Sequence, residues 1–547
     1  TYDGKKLMDL TASGNASGFL NTAKDMDITA DARGVNVSVA VSVGVQTNKA
    51  PEPAGEADEK DVNVNTGDGK DVFKSDAKSD KSSFAVGVAA SYAHNDFNNK
   101  TAAYVNNARS SGMKDLKLDA FNNIGNYAVT GGVSASTKKA DSSVVAGASA
   151  SYNSVDNATL AFMNNVQIDR LNALNLLAKN DSKYLAVSIG AALATGAQGG
   201  ATLNGAVNVN EIQNATKSYL NGTTILSSSL VDLTALDNSW LWQIGTGVSI
   251  SQNTGAGGVV GWNTADNETT TEITDNSAVT SSGSVSMTAK NEMDINSVVT
   301  GGGASKKAQV ALTGAYNDIK HKTGNKIDKS TVNANVNMMA ANESSILSVA
   351  TGAGVGKKLG ASVVVGVNRV KNTTENEINQ ATVKGSLSAL AASQGKIKSF
   401  ANSVGAGQSA GIGSVGTYND TRNMTQNVID QSNLSGQNLK ADALDTSYIL
   451  AETAGVGVAK SAGLGLAVGV NRINNQTNTL INNSNIQMTG DVSLTALNQP
   501  SSAEPDELPD DVKEITTDAK HSITTIVVGA GVAASGSGLG AGLSGVY

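Results

Sequence analysis

Apolar residues alternate with small or polar residues along most of the chain. The clearest case is residues 35–45, where valine fills every odd position and small or polar residues fill the even ones. Residues 361–367 and 463–470 show a similar alternation. A period of two predicts β-strands whose two faces differ, and no segment shows a helical period of any length. The pattern therefore indicates an all-β fold.

The strands belong to a long repeat. Eight copies of a motif begin with asparagine, carry a mostly apolar residue two positions on, and reach threonine six positions on. The asparagines are Asn95, Asn153, Asn210, Asn263, Asn317, Asn368, Asn419 and Asn471. The threonines are Thr101, Thr159, Thr216, Thr269, Thr323, Thr374, Thr425 and Thr477. The residues between them, four after each first asparagine, are Asn99, Asn157, Asn214, Asn267, His321, Asn372, Asn423 and Asn475.

An alternating strand that ends in alanine follows each motif and keeps the same period. The alanines are Ala30, Ala120, Ala178, Ala235, Ala289, Ala340, Ala391, Ala443 and Ala496. Two independent markers in step over nearly the whole length identify a repeat architecture. Because one alternating strand buries only one face, the repeats must stack to close a core, which predicts a parallel β-solenoid.

The period of about 52 residues suggests two coils per repeat, since one solenoid turn commonly needs about two dozen residues. About nine periods would then give roughly 18 turns and a rod of about 85 Å at 4.8 Å per turn. Stacking also explains the asparagines, because an amide can donate to one coil and accept from the next. Asparagine further tolerates the left-handed conformation of a tight corner, so we expect the repeat asparagines to serve there too.

Two charged insertions interrupt what we expect to be one continuous solenoid over residues 1–547. Segments 49–82 and 499–521 hold all five prolines, with nine acidic residues and six lysines in the first and seven and two in the second. They account for the formal net charge of −8, and the rest of the chain carries 32 acidic and 32 basic residues. We interpret both as surface loops. The balanced remainder argues against nucleic-acid binding, which needs a clustered basic surface.

Candidate chemistry is sparse. The chain has no cysteine, which excludes disulfides and thiolate metal sites. The acidic residues of the second insertion, Asp506, Glu507, Asp510 and Asp511, lack calcium-loop spacing, so we expect solvated loops. Of the three histidines, His94 and His321 lie in or beside the repeat motif and His521 lies near the second insertion, so we interpret them as structural. Carboxylates are scattered singly, and we expect neither an enzyme nor a bound metal or cofactor.

Aromatic and small residues bear on possible partners. Trp240, Trp242 and Trp262 are the chain's only aromatic concentration, and we expect core or corner packing for them rather than stacking on sugars. Asn-x-Thr triplets coincide with the repeat, so a ladder role is favoured over glycosylation. Faces of alanine, glycine and serine would let rods associate laterally. The chain contains no run of about 18 consecutive apolar residues, so we predict no transmembrane helix in it. The last residues, 529–547, begin another period, so we expect the chain to be part of a longer protein.

The repeat resembles the passenger regions of large surface proteins of Gram-negative bacteria, the filamentous-haemagglutinin-like and leukotoxin-like adhesins exported by type V secretion. The resemblance rests on residues 470–477 (VNRINNQT) and 492–496 (VSLTA), together with glycine- and alanine-rich alternation such as residues 453–459. It implies a secreted β-solenoid stalk that forms or displays an adhesive surface on the outside of the cell, and it offers no catalytic residue.

Three functions remain open. The leading hypothesis is an extracellular structural and adhesive rod that binds host cells, neighbouring bacteria, matrix, glycans or sister rods. The second is a secreted cytotoxin that acts on host membranes. The third is a carbohydrate-active β-helix enzyme or phage spike, which would require a cleft with two carboxylates about 5–10 Å apart.

Overall fold

The computed structural model describes residues 18–19, 24–46, 84–136, 142–195, 200–498, 523–535 and 537–547. Segments 49–82 and 499–521, with Asp506, Glu507, Asp510, Asp511 and His521, lie outside the described residues. None of the described segments forms a helix long and apolar enough to cross a membrane. Almost all of the described chain is β-strand, so the all-β prediction is confirmed.

Each coil of the fold has a first and a second long side, which we call its first leg and its second leg. The strands of the first legs and of the second legs alternate along the chain. The first half comprises β1 (Gly18–Phe19), β2 (Met26–Gln46), β3 (Phe84–Ser110), β4 (Met113–Ser136), β5 (Ser142–Ile168), β6 (Leu171–Asn180), β7 (Lys183–Ala194), β8 (Ala201–Asn221), β9 (Thr224–Ser251), β10 (Thr254–Thr274), β11 (Ala278–Ser305), β12 (Ala308–Asp328) and β13 (Thr331–Gly356). The second half comprises β14 (Leu359–Asn379), β15 (Thr382–Lys384), β16 (Leu387–Gly407), β17 (Ala410–Thr421), β18 (Met424–Asp430), β19 (Asn433–Gly436), β20 (Leu439–Asp445), β21 (Tyr448–Ala459), β22 (Ala462–Ile473), β23 (Gln476–Asn482), β24 (Asn485–Met488), β25 (Val492–Asn498), β26 (Ile523–Ala533) and β27 (Leu539–Val546).

Every strand pairs in parallel with residues one full period away. Asn263 of β10 pairs with Asn317 of β12, and Asn317 pairs in turn with Asn368 of β14. The alanine markers form one continuous column from Ala30 to Ala496. Equivalent residues therefore lie directly above one another, and the predicted parallel β-solenoid is confirmed.

The prediction of two coils per repeat is wrong, because one period makes one coil. Each coil consists of a long first leg and a long second leg, for example β11 (28 residues) and β12 (21 residues). These legs are several times longer than the short strands on which the estimate of two dozen residues per turn relies. The alanine column has nine members, so the described rod is about 40 Å long at 4.8 Å per rung, not about 85 Å.

The two legs of a coil enclose a core that changes character from end to end. The end beside the corner that links each second leg to the next first leg is filled by aliphatic side chains such as Leu174, Leu233, Met287 and Val336. In the middle, buried asparagine, serine and threonine surround a smaller aliphatic cluster that includes Ile295, Ile319 and Ile346. At the other end lie the turns at residues 306–307, 357–358, 408–409 and 460–461. There the core narrows to glycine in the later coils, whereas the equivalent positions of earlier coils hold buried side chains such as Val145, Thr202 and Gln309.

In the later coils glycines close this narrow end, and we call these residues the glycine seam (Gly354, Gly360, Gly405, Gly411, Gly457 and Gly463). These residues face inward, and a Cβ atom added to any of these six would lie 1.9–2.2 Å from a backbone oxygen of the facing leg. Backbone therefore packs on backbone across the seam, a separation that only glycine allows. The seam makes this end of the solenoid thin, and we call this thin end the blade.

Candidate functional site

The eight repeat asparagines form a hydrogen-bonded column inside the rod. Each side-chain amide donates to the carbonyl oxygen of the next asparagine along the axis over 2.6–2.9 Å, from Asn95 to Asn471. The last amide donates to the hydroxyl of Thr525 over 2.9 Å. Asn263, Asn317, Asn368 and Asn419 are fully buried. Identical amides satisfy one another here by direct hydrogen bonds, which fixes the register of adjacent coils.

The position four residues later works differently. Here the side chain accepts from the backbone N–H of the previous coil, as Asn267 Oδ1 does from Asn214 (3.1 Å) and Asn423 Oδ1 does from Asn372 (3.2 Å). His321 accepts in the same way through Nδ1 from the backbone N–H of Asn267, over 3.1 Å. Burial lowers the pKa of His321 to about 3, so its ring is neutral and Nδ1 can accept. The one exception in the motif thus keeps the same hydrogen bond.

The repeat threonines are stacked in register but do not form a continuous chain of hydroxyls. Thr269 and Thr323 accept from Asn291 and Asn342 of the first leg, over 3.2 and 2.9 Å. The hydroxyl oxygen of Thr374 is buried without a hydrogen-bond partner, and the same holds for Thr159, Thr425 and Thr477. This column therefore contributes contacts across the coil rather than along the axis.

A second polar column, missed in the sequence, lies two residues after each alanine marker. Its members are Asn122, Asn180, Asp237, Asn291, Asn342, Ser393, Asp445 and Asn498. Asn122 donates to Asn180 over 2.9 Å, and Asn180 donates to Asp237 over 3.2 Å. The sequence signal that could have revealed this column is the same 52-residue period, applied to the position two residues after each alanine marker.

Asp237 interrupts this second column. Its carboxylate accepts from Ser239 (2.6 Å) and Thr216 (3.4 Å) as well as from Asn180, but it has no proton to pass on when ionised. The next carbonyl oxygen, Oδ1 of Asn291, is buried without a partner. Burial raises the pKa of Asp237 to about 6, from an ordinary value of 3.8. A charged group thus stands where an amide would complete the column.

We expect Asp237→Asn to stabilise the rod above pH 6, because an amide can donate to the unpaired Asn291 oxygen. With a folded pKa near 6, the folded chain binds more protons than the unfolded chain between about pH 4 and 6, so the contribution of Asp237 to stability falls as pH rises through that window. The gain should reach about 2–3 kcal/mol at pH 8 and shrink toward pH 4. Urea unfolding of both proteins at pH 5 and pH 8 measures it.

The matched control for this prediction is Asp266→Asn, which removes a half-exposed carboxylate paired with Lys320. It should change stability by less than about 0.5 kcal/mol at either pH. A gain from Asp237→Asn that is equal at pH 5 and pH 8 would show that ionisation is not its cause.

The left-handed corner does not lie at the repeat asparagines, so that expectation is wrong. Positive φ angles of 47–62° occur instead where each second leg ends, at Asn107, Asn165, Gly222, Asp275, Asn276, Lys329, Gln380, Gln431 and Asn483. The ladder asparagines lie inside strands, where the backbone is extended. Their repetition reflects the amide column alone.

In the alternating strands of the blade, the apolar residues face outward and the small or polar residues face inward. Residues 35–45 turn their valines outward, with 53–66% of each valine exposed, while the small and polar residues between them face inward. Close spacing of the legs contributes to this at one end of the strand, because a Cβ atom added to Gly44 would lie 2.7 Å from the carbonyl oxygen of Val88 on the facing leg. The outer positions of the blade mix valine and leucine with alanine and glycine, so the expected small residues make up only part of its outer surface.

One outer surface of the blade is free of charge along its whole length. We call it the apolar face. It consists of the alternate, outward residues of 86–92, 144–150, 201–207, 254–260, 308–314, 359–365, 410–416, 462–468 and 539–545 on the second legs. These nine ranges contain no Asp, Glu, Lys or Arg. Leu203, Leu312, Val365, Val468 and Leu543 are each between 48 and 62% exposed.

The tryptophans lie outside the core, contrary to the expectation of core or corner packing. Trp242 and Trp262 are 41% and 42% exposed, and Trp240 lies two residues from Trp242 on the same outer surface. Trp262 lies on the other leg, at the border of the apolar face, where its ring stacks on Tyr316 with centroids 4.0 Å apart. The three rings therefore do not converge on one site.

Charged side chains flank the apolar face on its two long sides. Exposed lysines occupy the turns at 306–307 and 357–358.

On the other side a shallow groove is lined by Glu211, Asp266, Asp318 and Lys320. Lys320 contacts Asp266 over 2.9 Å, and Asp318 pairs with Arg369. Tyr152 donates to Glu211 over 2.8 Å, and His94 stacks on the Tyr152 ring. Because each carboxylate has a partner, the groove does not present a free pair of acids.

Within the described ranges no group of three or more His, Asp or Glu side chains is placed to hold a metal ion. The features that the structure does assemble are the two internal polar columns, the glycine seam and the apolar face. No family model, curated protein or solved structure matches this chain.

Proposed function

We propose that the chain is a structural and adhesive rod of a bacterial surface or secreted protein, acting outside the cell. The observation that carries the proposal is the unbroken vertical register of nine rungs, which repeats the same outer surface every 4.8 Å. A repeated surface of this kind suits many weak, identical contacts along a shaft. The resemblance to type V secreted adhesins, and the absence of cysteine in the chain, support the same reading.

A second candidate is a secreted cytotoxin that acts on host membranes. The exposed aliphatic side chains of the blade, such as Leu312 and Val365, favour it because surface apolar patches also bind lipid. Leakage from anionic and zwitterionic vesicles separates the two functions: a toxin releases the contents, whereas an adhesive rod does not.

Adhesion is tested with microbeads coated with the 547-residue chain. An adhesive rod should retain the beads on host cells or on extracellular matrix well above beads coated with the urea-unfolded chain. Beads that bind no better than the unfolded control, together with vesicle leakage, would replace the adhesive function with the toxin.

The rod architecture predicts that a whole coil can be removed. Deleting residues 317–367 joins Tyr316 directly to Asn368, which lies one rung above Asn317. We expect this protein to stay folded, because each coil contacts only its neighbours. Deleting only residues 317–342 is the matched control. It joins a second leg to the middle of a first leg, so we expect loss of β circular dichroism signal and rapid proteolysis. Equal tolerance of both deletions would favour half-period coils.

A further inference from the structure

The apolar face is large enough to be an interface. Its four outward columns span about 20 Å along the strands, and its nine rungs span about 40 Å along the axis, so its flat area is about 800 Å². That equals what one partner contributes to a stable protein interface and exceeds the largest apolar patch of a typical monomer. Water contact with this much aliphatic surface is unfavourable, so the face is expected to be covered.

Glycines on the apolar face point to a partner that approaches closely. A Cβ atom added to Gly258 or Gly416 would meet nothing within 4 Å, and one added to Gly314 would first meet Val260 at 3.9 Å. None of the three has a positive φ. The fold of one chain therefore needs no glycine there, although glycine weakens a strand. Glycine within a strand otherwise marks a place where another backbone comes near.

We propose that the apolar face packs against the apolar face of a second copy of this chain. Only a surface with the same 4.8 Å rung spacing can fill the gaps between rungs along the full 40 Å. Two flat sheets bury their apolar faces in this way in β-sandwiches. The two charged segments of the chain itself, 49–82 and 499–521, carry too many acidic residues and lysines to cover an uncharged face.

A lipid surface fits the face less well than a second copy. Glycine adds no apolar area for lipid to cover. Aromatic side chains such as Trp262 and Tyr316 border one long side of the face, but lysine turns border the other, whereas lipid-facing sheets carry aromatic girdles at both edges. The opposite outer surface of the blade is also a poorer interface, since Glu452 lies in its outward columns. Pairing of the apolar faces deepens the proposed rod function, because it specifies sister rods as a partner.

The charges beside the face determine the direction of the paired rods. Antiparallel rods would bring the lysine turns at 306–307 and 357–358 of one copy beside the same turns of the other. Parallel rods keep these lysines apart and place them opposite the far side of the partner, where the carboxylates of Glu211 and Asp318 are interspersed with Lys320 and Arg369. Like charges at an interface oppose binding and opposite charges favour it. The geometry therefore favours parallel rods related by a two-fold axis along their length.

The test is sedimentation velocity of the 547-residue chain and of Gly258→Arg/Gly314→Arg. Wild type should be dimeric at about 10 μM, and the arginine pair should raise the dimer dissociation constant at least about 100-fold. Circular dichroism should not change, and the melting temperature should not change at concentrations where both proteins are monomeric, because both new side chains enter open space. The matched control is Gly131→Arg/Gly302→Arg on the opposite surface, where an added Cβ meets its nearest atoms at 3.7–3.8 Å. It should remain dimeric.

Three results would overturn the proposal: a monomeric wild type at about 100 μM, a dimer that survives the arginine pair, or equal dissociation by the control pair. A monomer that binds phosphatidylcholine vesicles only with the apolar face intact would identify lipid as the occupant instead. Bead adhesion by a monomeric protein would leave the proposed adhesive function standing while the pairing fails.

Direction is tested with single cysteines, which report cleanly because the chain has none. Val363→Cys lies near the middle of the stack and Leu466→Cys lies toward one end of it, in the same column. A short bis-maleimide should link both variants into dimers when rods are parallel. Antiparallel rods would link only the central cysteine, which would overturn the parallel arrangement.

Discussion

We expect Gly405→Ala to destabilise the rod by at least about 3 kcal/mol, a large effect for a single methyl group. The new Cβ would lie 1.9 Å from the carbonyl oxygen of Ile412 on the facing leg. Neither leg can move away, because each is hydrogen-bonded to the rungs above and below it. The urea unfolding midpoint and hydrogen exchange of the 387–421 segment measure the loss.

Gly416→Ala is the matched control, eleven residues away. Its Cβ points outward with nothing within 4 Å, so alanine fits without strain and restricts the unfolded chain. A gain of about 0.4–1 kcal/mol is expected at concentrations where the chain is monomeric. If both alanines were tolerated equally, the two legs would not be in backbone contact at the seam.

The repeat and its stacking were predictable because the columns require it. A hydrogen-bonded amide column requires the same side chain on each rung. Asn317 and Asn368 are therefore recognisable in the sequence because asparagine recurs at this position of the repeat. His321 shows the limit of that rule, since an imidazole nitrogen can accept the same backbone hydrogen bond as an amide oxygen. The second polar column was equally periodic, but its members vary among Asn, Asp and Ser, which hid it.

Which face of each alternating strand points into the core was not predictable from the sequence pattern. Alternation tells which residues share a face, but not which face is buried. In residues 35–45 the valines would fill a wide core well, yet they face outward, and beside Gly44 the facing leg leaves no room for a larger side chain. The distance between the legs is set by many coils together. The size of a coil was hidden for a related reason, because the length of a leg depends on where the corners bend.

The second large effect that we expect is from Asn317→Leu, which breaks the amide column in the middle. Asn317 accepts from Asn263 over 2.7 Å and donates to Asn368 over 2.8 Å, and it is fully buried. Leucine has nearly the same shape, so packing changes little. Oδ1 of Asn368 loses its donor, whereas Asn263 keeps a bond of 3.0 Å to Gln243. We expect a loss of about 3–4 kcal/mol, measured by urea unfolding.

The control and a double variant identify the column as the cause. Asn296→Leu changes the same residue type on the outer surface and should cost less than about 0.5 kcal/mol. Asn317→Leu/Asn368→Leu should cost less than the sum of its single changes, because the double variant removes both partners of one bond and leaves neither orphaned. Strict additivity would mean that the two amides do not depend on each other. Sub-additive loss would instead show that the rungs are held in register by their mutual hydrogen bonds, which is the condition for a solenoid to extend as one rigid shaft.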